Sequence, residues 1–196
     1  MSDFGSCRTW KISSLLMLAG IGFASSASAA DHDAPWKMRI PAHAEIGAKP
    51  VEGAVYEFAC TAGKGGALSL SLMLPKPDLL TAFPLNDFEG PDGVGETHKL
   101  AEWSVSGGKA PARARTSISG WYGVDGDGFL FSTARESARP SDLARLAKHL
   151  VASDQTRLRL VVKPLKGSVA LKVEAPIGEH REAIAKILAP CTAVVK

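Results

Sequence analysis

The sequence predicts an α+β domain, in which an antiparallel, sandwich-like β-structure packs against two helices. Three observations predict this fold. Apolar and polar residues alternate in two pairs of segments, 55–60 with 68–72 and 157–162 with 169–173, and each pair has the form of a β-hairpin. Two later segments repeat apolar residues at helical spacing. An apolar leader over residues 1–29 precedes the domain and is excluded from the fold.

The first hairpin is indicated by both of its strands. Tyr56, Phe58 and Cys60 lie on one face of the first strand. A glycine-rich turn at 63–66 then leads into residues 68–72, where leucine alternates with serine. This pattern predicts a strand pair with one apolar and one polar face.

The second hairpin is the clearest element of the chain, with its turn predicted at 166–167. A stretch rich in proline and glycine, 75–95, separates the two hairpins. Weaker strand candidates follow it at 100–105, 117–124 and 129–131. We expect these candidates to complete the β-structure.

Each predicted helix has one apolar face. The first follows a start signal at 140–142, and its face consists of Leu143, Leu146, Ala147, Leu150 and Val151. The second runs from about residue 179 to about residue 189, and its stripe consists of Ile184, Ile187, Leu188 and Cys191. Such a stripe must pack against other apolar surface, so we expect the last helix to direct Cys191 toward the sheet.

The cysteines predict one disulfide bond. Cys7 belongs to the leader, which leaves Cys60 and Cys191 in the mature chain. Two otherwise solitary cysteines in an oxidising compartment are expected to pair, and a loop of this length contributes about 4–5 kcal/mol in the chain-entropy account. Two buried free thiols are the alternative. A catalytic dithiol is not indicated, because the two residues are far apart in the sequence.

The leader has the parts of a signal peptide. Arg8 and Lys11 give it a basic start, and residues 12–24 form its apolar core. Residues 26–30 are the small serines and alanines that a signal peptidase recognises. A membrane anchor needs about 20 predominantly apolar residues, and this run is shorter. We therefore expect a cleavable signal peptide at 1–29, no stable membrane anchor, and a product in the periplasm or the medium.

The domain boundaries follow from length and composition. Removal of the leader leaves about 166 residues, enough for one domain with a substantial core. We predict an N-terminal arm at 30–53, either mobile or laying Trp36 and Ile40 against the sheet, and a single α+β domain at 54–196. The chain carries a net charge of +3, with basic residues scattered among acidic ones, which argues against a nucleic-acid partner.

An aromatic pair beside an acidic turn is the first candidate for a contact with a protein partner of the envelope or of a host. Trp121 and Tyr122 precede Asp125 and Asp127, and aromatic side chains concentrate binding energy in interfaces. In the alternative interpretation both rings fill the core. The two aspartates with Glu136 match part of a calcium-binding loop, but the required donor and glycine between them are missing, so a hairpin turn is the better explanation.

A metal site is predicted only at the new N-terminus. If cleavage follows Ala29, the mature chain begins Ala30-Asp31-His32, and His32 can join the free amine and two amides around Cu(II) or Ni(II). Cleavage after Ala30 removes this geometry. The sequence indicates no other cofactor.

We expect no catalytic activity. The chain lacks a Gly-x-Ser-x-Gly motif, and no spacing rule brings together the candidate bases His43, His98, His149 and His180. A periplasmic hydrolase stays an alternative, because catalytic groups are neighbours in space and leave no local trace in the sequence. Convergence of at least two of five residues with a serine or an open metal position in one deep pocket would favour it; these residues are His98, His149, His180, Asp125 and Glu136.

The order of the elements is similar to that of small secreted families. A strand with a cysteine is followed by alternating strands, a helix with Leu143 and Leu146, a closing hairpin, and a final helix reaching Cys191. This layout resembles the periplasmic accessory proteins encoded with bacterial type VI secretion systems, and more distantly the invasion-associated locus B family. The resemblance implies a non-enzymatic envelope protein linked to secretion or host interaction, and it assigns no functional residues. A lysozyme-inhibitor-like protein is a further alternative.

Overall fold

Two antiparallel sheets surround the apolar core. The computed structural model describes residues 36–61, 66–75, 81–124, 128–136, 140–152 and 154–192. In this part of the chain the strands are β1 (Lys37–Pro41), β2 (His43–Ile46), β3 (Lys49–Val51), β4 (Val55–Cys60), β5 (Ala67–Pro75), β6 (Ala101–Ser106), β7 (Ala112–Thr116), β8 (Ser119–Tyr122), β9 (Gly128–Glu136), β10 (Arg157–Val162) and β11 (Leu171–Pro176). The helices are α1 (Val94–Thr97), α2 (Asp142–Ala152) and α3 (Arg181–Thr192), and a 3-10 turn spans Leu85–Phe88.

The strand order confirms the predicted α+β architecture. One sheet has five strands in the order β1-β4-β5-β9-β8, and the other has six in the order β3-β2-β11-β10-β6-β7. All neighbouring strands are antiparallel. The helices α2 and α3 pack on each other, α2 also contacts β7, and α3 contacts β4. No helix in the described ranges is long and apolar enough to cross a membrane.

Both predicted hairpins are present, as β4 with β5 and as β10 with β11. The Tyr56 side chain links the sheets of the two hairpins, because its hydroxyl donates a 3.1 Å hydrogen bond to the Val173 carbonyl oxygen. Burial raises the pKa of Tyr56 well above its ordinary value, so this hydroxyl keeps its proton and remains a donor. The first predicted turn, at 63–66, lies largely outside the described residues.

Of the two alternatives for the N-terminal arm at 30–53, the mobile one is wrong for the residues that the structure describes, and the packing of Ile40 against the sheet is confirmed. Residues 37–51 form β1, β2 and β3, which belong to the two sheets, and Ile40 is fully buried. Trp36, in contrast, is 54% exposed, although its carbonyl oxygen accepts the Cys60 amide of β4 at 3.0 Å. The prolines of this segment suggested an arm. Pro41 is nevertheless compatible with β1, because the amide of its neighbour Ala42 donates to the Ala54 carbonyl oxygen. Backbone directions alternate along a strand, so the Pro41 nitrogen faces away from β4, where no amide is needed.

The middle of the chain contains structure that the pattern did not predict. The strand β7 was missed, β9 is longer than the predicted segment at 129–131, and the proline- and glycine-rich stretch contains the 3-10 turn and α1. The two predicted helices are confirmed, but α3 continues past residue 189 through Pro190. A proline in the last turn removes a single backbone hydrogen bond, which costs less there than in the helix interior.

The disulfide joins the last helix to the first sheet. The Cys60 and Cys191 sulfurs lie 2.09 Å apart, at bonding distance, and both residues are buried. Cys60 ends β4 and Cys191 lies in the last turn of α3, so the bond fixes the C-terminal helix on the strand against which it packs. The sequence pattern and the structure agree on this pairing.

Candidate functional site

The aromatic pair that the sequence singled out is on the surface. Trp121 is 45% exposed and Tyr122 is 38% exposed, so the alternative in which both rings fill the core is wrong. The core position of this hairpin belongs to Phe129, whose ring lies against Gly120 so closely that a side chain at that glycine would collide with it. Val124 follows with its side chain fully exposed. Asp125 and Asp127 of the predicted contact lie outside the described residues.

Tyr122 is held in position by two contacts. Its hydroxyl donates a hydrogen bond of 2.5 Å to the Asn86 side-chain oxygen in the 3-10 turn. Its ring meets Phe129 edge-on, with the ring centroids 4.8 Å apart. An exposed ring fixed in this way loses little conformational entropy when a partner covers it.

A cleft of about 610 Å³, with both polar and apolar walls, has Trp121 among its lining residues. Its walls are the end of β9, the segment that joins β7 to β8, the residues around α1, and the first turn of α2. Hydroxyl groups line much of it, from Thr116, Ser117, Ser119, Ser132, Thr133 and Ser141. Ser141 also caps α2, because its hydroxyl oxygen accepts the Ala144 amide at 3.0 Å.

The two carboxylates of the cleft are already engaged. The Ser119 hydroxyl donates to the Glu96 carboxylate at 2.5 Å. Asp142 forms an ion pair with Arg145 one turn along α2 and a second with Lys99 at 3.5 Å. The Arg145 hydrogen bond, with a smaller contribution from Lys99, lowers the pKa of Asp142 from its ordinary value. These contacts stabilise the ionised form of Asp142 in the first turn of α2, where its negative charge also complements the helix dipole.

Replacing Arg145 with alanine should raise the pKa of Asp142 toward its ordinary value, because the largest stabilising contact of the carboxylate is lost. In the native protein the pKa is lower than in the unfolded chain. The carboxylate therefore stabilises the fold above the unfolded pKa, and this contribution is lost as the pH falls through the folded pKa. An NMR titration of the Asp142 carboxyl carbon measures the change. Lys99→Ala should give a smaller rise, and an unchanged pKa in R145A would contradict the assignment.

The candidate catalytic histidines are not gathered at this cleft. Among the described residues no histidine lines it. His98 bonds within its own turn, at 3.1 Å from the Val94 carbonyl oxygen. The exposed His43 side chain lies beside Glu45 on β2, His180 precedes α3, and His149 is in the last turn of α2.

In the described ranges, no group of three or more histidine, cysteine, aspartate or glutamate residues is close enough to hold a metal ion. His32 of the predicted N-terminal Cu(II) or Ni(II) site lies outside these ranges, so that site stays a prediction. The Glu136 side chain of the calcium-like pattern also lies outside what the structure describes.

The fold and the surface define a disulfide-bonded α+β domain with an exposed aromatic hairpin beside a cleft of mixed polar and apolar lining. No known family, curated protein or solved structure matches the chain. The resemblance to accessory proteins of type VI secretion systems and to the invasion-associated locus B family therefore stays a prediction. Sequence reasoning missed the cleft, because its walls come from segments that are neighbours only after folding, and the cap at Ser141 was the one local signal near it.

Proposed function

We propose that this protein is a non-catalytic binding or accessory protein of the bacterial envelope, periplasmic or secreted, and that it holds a protein partner through its aromatic hairpin. The observation that carries the proposal is the exposure of Trp121, Tyr122 and Val124 together at the end of β8. Trp121 and Tyr122 are consecutive residues of a strand, so their side chains point to opposite faces of β8, and each face of the strand end offers a partner one exposed aromatic ring. Aromatic anchors of this kind supply most of the energy in protein interfaces.

The covalent structure supports the extracytoplasmic part of the proposal. A buried disulfide between Cys60 and Cys191 suits an oxidising compartment and is rare in the cytosol. The predicted signal peptide at 1–29 gives the route to that compartment. The resemblance to periplasmic accessory proteins points in the same direction.

Replacing Trp121 with alanine should weaken binding of the partner by roughly 30-fold, because truncation of a central aromatic anchor costs about 2 kcal/mol or more. The tagged full chain, processed in a bacterial periplasm, is used to capture a partner from the envelope fraction. The affinity of the purified partner for each variant is then measured by calorimetry. Trp36→Ala is the matched control, because Trp36 is equally a surface tryptophan but lies at the start of β1.

Two results would overturn the proposed function. One is a partner that binds the W121A and W36A variants as tightly as the native protein. The other is turnover of an ester, amide or glycoside substrate by the purified native protein. The first would exclude the hairpin as the contact, and the second would make the protein an enzyme.

A further inference from the structure

We propose that the cleft beside Trp121 binds an extended polypeptide segment of the partner, which pairs as an added strand with the open half of β9. The inference rests on the proposed function and specifies how the same site holds its partner. The segment would lie in line with β8, on the side of β9 that β8 leaves uncovered. Strand addition to an open sheet edge is a common mode of peptide recognition, since backbone hydrogen bonds provide the affinity.

The two neighbours of β9 cover it unequally. The strand β5 pairs with all of β9, from Gly128 to Glu136. The strand β8 pairs only with its first half, and the last pair is Ser119 with Ser132. Beyond that point no strand in the described ranges lies on this side of β9, and the space there is the cleft, lined by Ala134 among others.

The hydrogen bonds of the hairpin show which backbone groups face the cleft. The Gly123 amide donates to the Gly128 carbonyl at 2.8 Å, so the Gly128 backbone points toward the β8 side. In an antiparallel ladder every second residue points the same way. The backbone groups of Ala134 and Glu136 therefore point away from β5, and Ala134 lines the cleft. Those of Thr133 and Arg135 point toward β5.

An independent contact confirms this alternation. The Gly120 carbonyl accepts the Gly90 amide at 2.9 Å, and so the Gly120 backbone faces away from β9. That is the direction required if its neighbours Ser119 and Trp121 face β9. The same contact covers the outer edge of β8, which leaves the second half of β9 as the open part of this side of the sheet among the described residues.

The other sheet edges carry features that prevent strand pairing. Lys37 and Pro41 lie on the edge strand β1, and Lys49 and Pro50 lie on the edge strand β3. Lysine and proline at edges are the usual protection against unwanted pairing. The remaining edge strand, β7, is contacted by α2. The open half of β9 has neither lysine nor proline, and its charged residues are Arg135 and Glu136. The helix α2 touches β9 as well, but the exposed Ala134 presents almost no side chain to an incoming strand.

The charges of the cleft indicate the composition of the segment. The side chains of Lys99 and Arg115 line the cleft and are each 67% exposed. The carboxylate of Glu96 is engaged by the Ser119 hydroxyl, and that of Asp142 is shared by Lys99 and Arg145. Arg115 also forms an ion pair, with Glu102 at 3.6 Å. The cleft is nevertheless lined by three basic residues, Lys99, Arg115 and Arg135, and by two acidic ones, Glu96 and Asp142. This balance favours an acidic side chain in the bound segment, while Trp121 in the cleft wall offers an apolar contact.

A phage-displayed library of random dodecapeptides, selected on the native full chain, is the probe. We expect enriched peptides that contain acidic residues and that bind Ala134→Pro at least tenfold more weakly. The proline removes an amide that faces the cleft and none that bonds to β5. Lys37→Pro is the matched control, because it places a proline on the opposite edge of the same sheet. Absence of enriched peptides, or equal binding to A134P, would overturn the proposal.

Amide hydrogen exchange on the native protein tests the same geometry without a variant. In the free protein the Ala134 and Glu136 amides should exchange faster than those of Thr133 and Arg135, and the selected peptide should slow them at least tenfold. Unchanged rates at Ala134 and Glu136 would overturn the added strand. Another outcome is a captured partner that binds W121A more weakly than the native protein but binds A134P equally well. That result would overturn the added strand and leave the proposed function standing. A partner unaffected by either change overturns both.

Discussion

Replacing Cys60 and Cys191 together with alanine should lower the free energy of unfolding by about 5 kcal/mol. The two residues are 131 positions apart, so the bond closes a loop that spans most of the domain and removes a large part of the freedom of the unfolded chain. Alanine leaves the buried positions apolar and creates little new polar surface. Urea unfolding, followed by far-ultraviolet circular dichroism, measures the loss as a lower midpoint.

Reduction provides the control for this prediction. Dithiothreitol should shift the unfolding midpoint of the native protein to about that of the double variant, and it should not change the variant itself. We also expect the variant to show faster amide exchange in α3, because that helix ends at Cys191 and loses its covalent attachment to β4. A native protein and a double variant with equal midpoints would contradict the stabilising role of the bond.

The hairpins and helices were predictable because their signals are local. In β4 and β5 the alternation that places Tyr56 opposite Leu72 is written in neighbouring residues, and a glycine-rich turn separates the strands. The face of α2 is equally regular, with Leu143, Leu146 and Leu150 all buried. Such a pattern indicates which face of a helix or strand is apolar, and this face can be identified without knowing which other element packs against it.

The missed strands show where such a signal fails. In β7 the buried positions are Ala114 and Thr116, and the exposed ones are Arg113 and Arg115, so the alternation is between small and charged residues and not between large apolar and polar ones. In β1 to β3 the prolines suggested a mobile arm. An edge strand tolerates proline where the amide faces outward, and that depends on a register that the sequence does not contain.

The candidate site was predictable in its residue type and not in its geometry. Trp121 and Tyr122 were selected because aromatic residues dominate interfaces, but whether they were buried depended on Phe129, which fills the interior beside Gly120. The cleft requires β9 to extend beyond β8 by several residues. Strand lengths of this kind are set by where the chain leaves one sheet for the other, which is a tertiary property.

The core between the sheets gives the second large expected effect. Replacing Trp103 with alanine should cost about 3–5 kcal/mol of unfolding free energy, because a large buried aromatic leaves a cavity that the core cannot refill. Trp103 is fully buried and lies on β6, and its ring centroid is 6.0 Å from that of Tyr56 on the opposite sheet. The contact therefore joins the two sheets at the same place as the Tyr56 hydrogen bond to Val173. Urea unfolding followed by circular dichroism measures the loss.

Two matched variants separate the packing of Trp103 from its hydrogen bond. The indole nitrogen donates to the Thr116 hydroxyl at 3.0 Å, so Thr116→Val leaves the ring in place with a buried donor unsatisfied and should cost about 1–3 kcal/mol. Trp36→Ala removes the same side chain from the surface and should change stability by no more than about 0.5 kcal/mol. A T116V variant as unstable as W103A would assign the effect to the hydrogen bond. A W103A variant no less stable than W36A would contradict the packing of Trp103 between the two sheets.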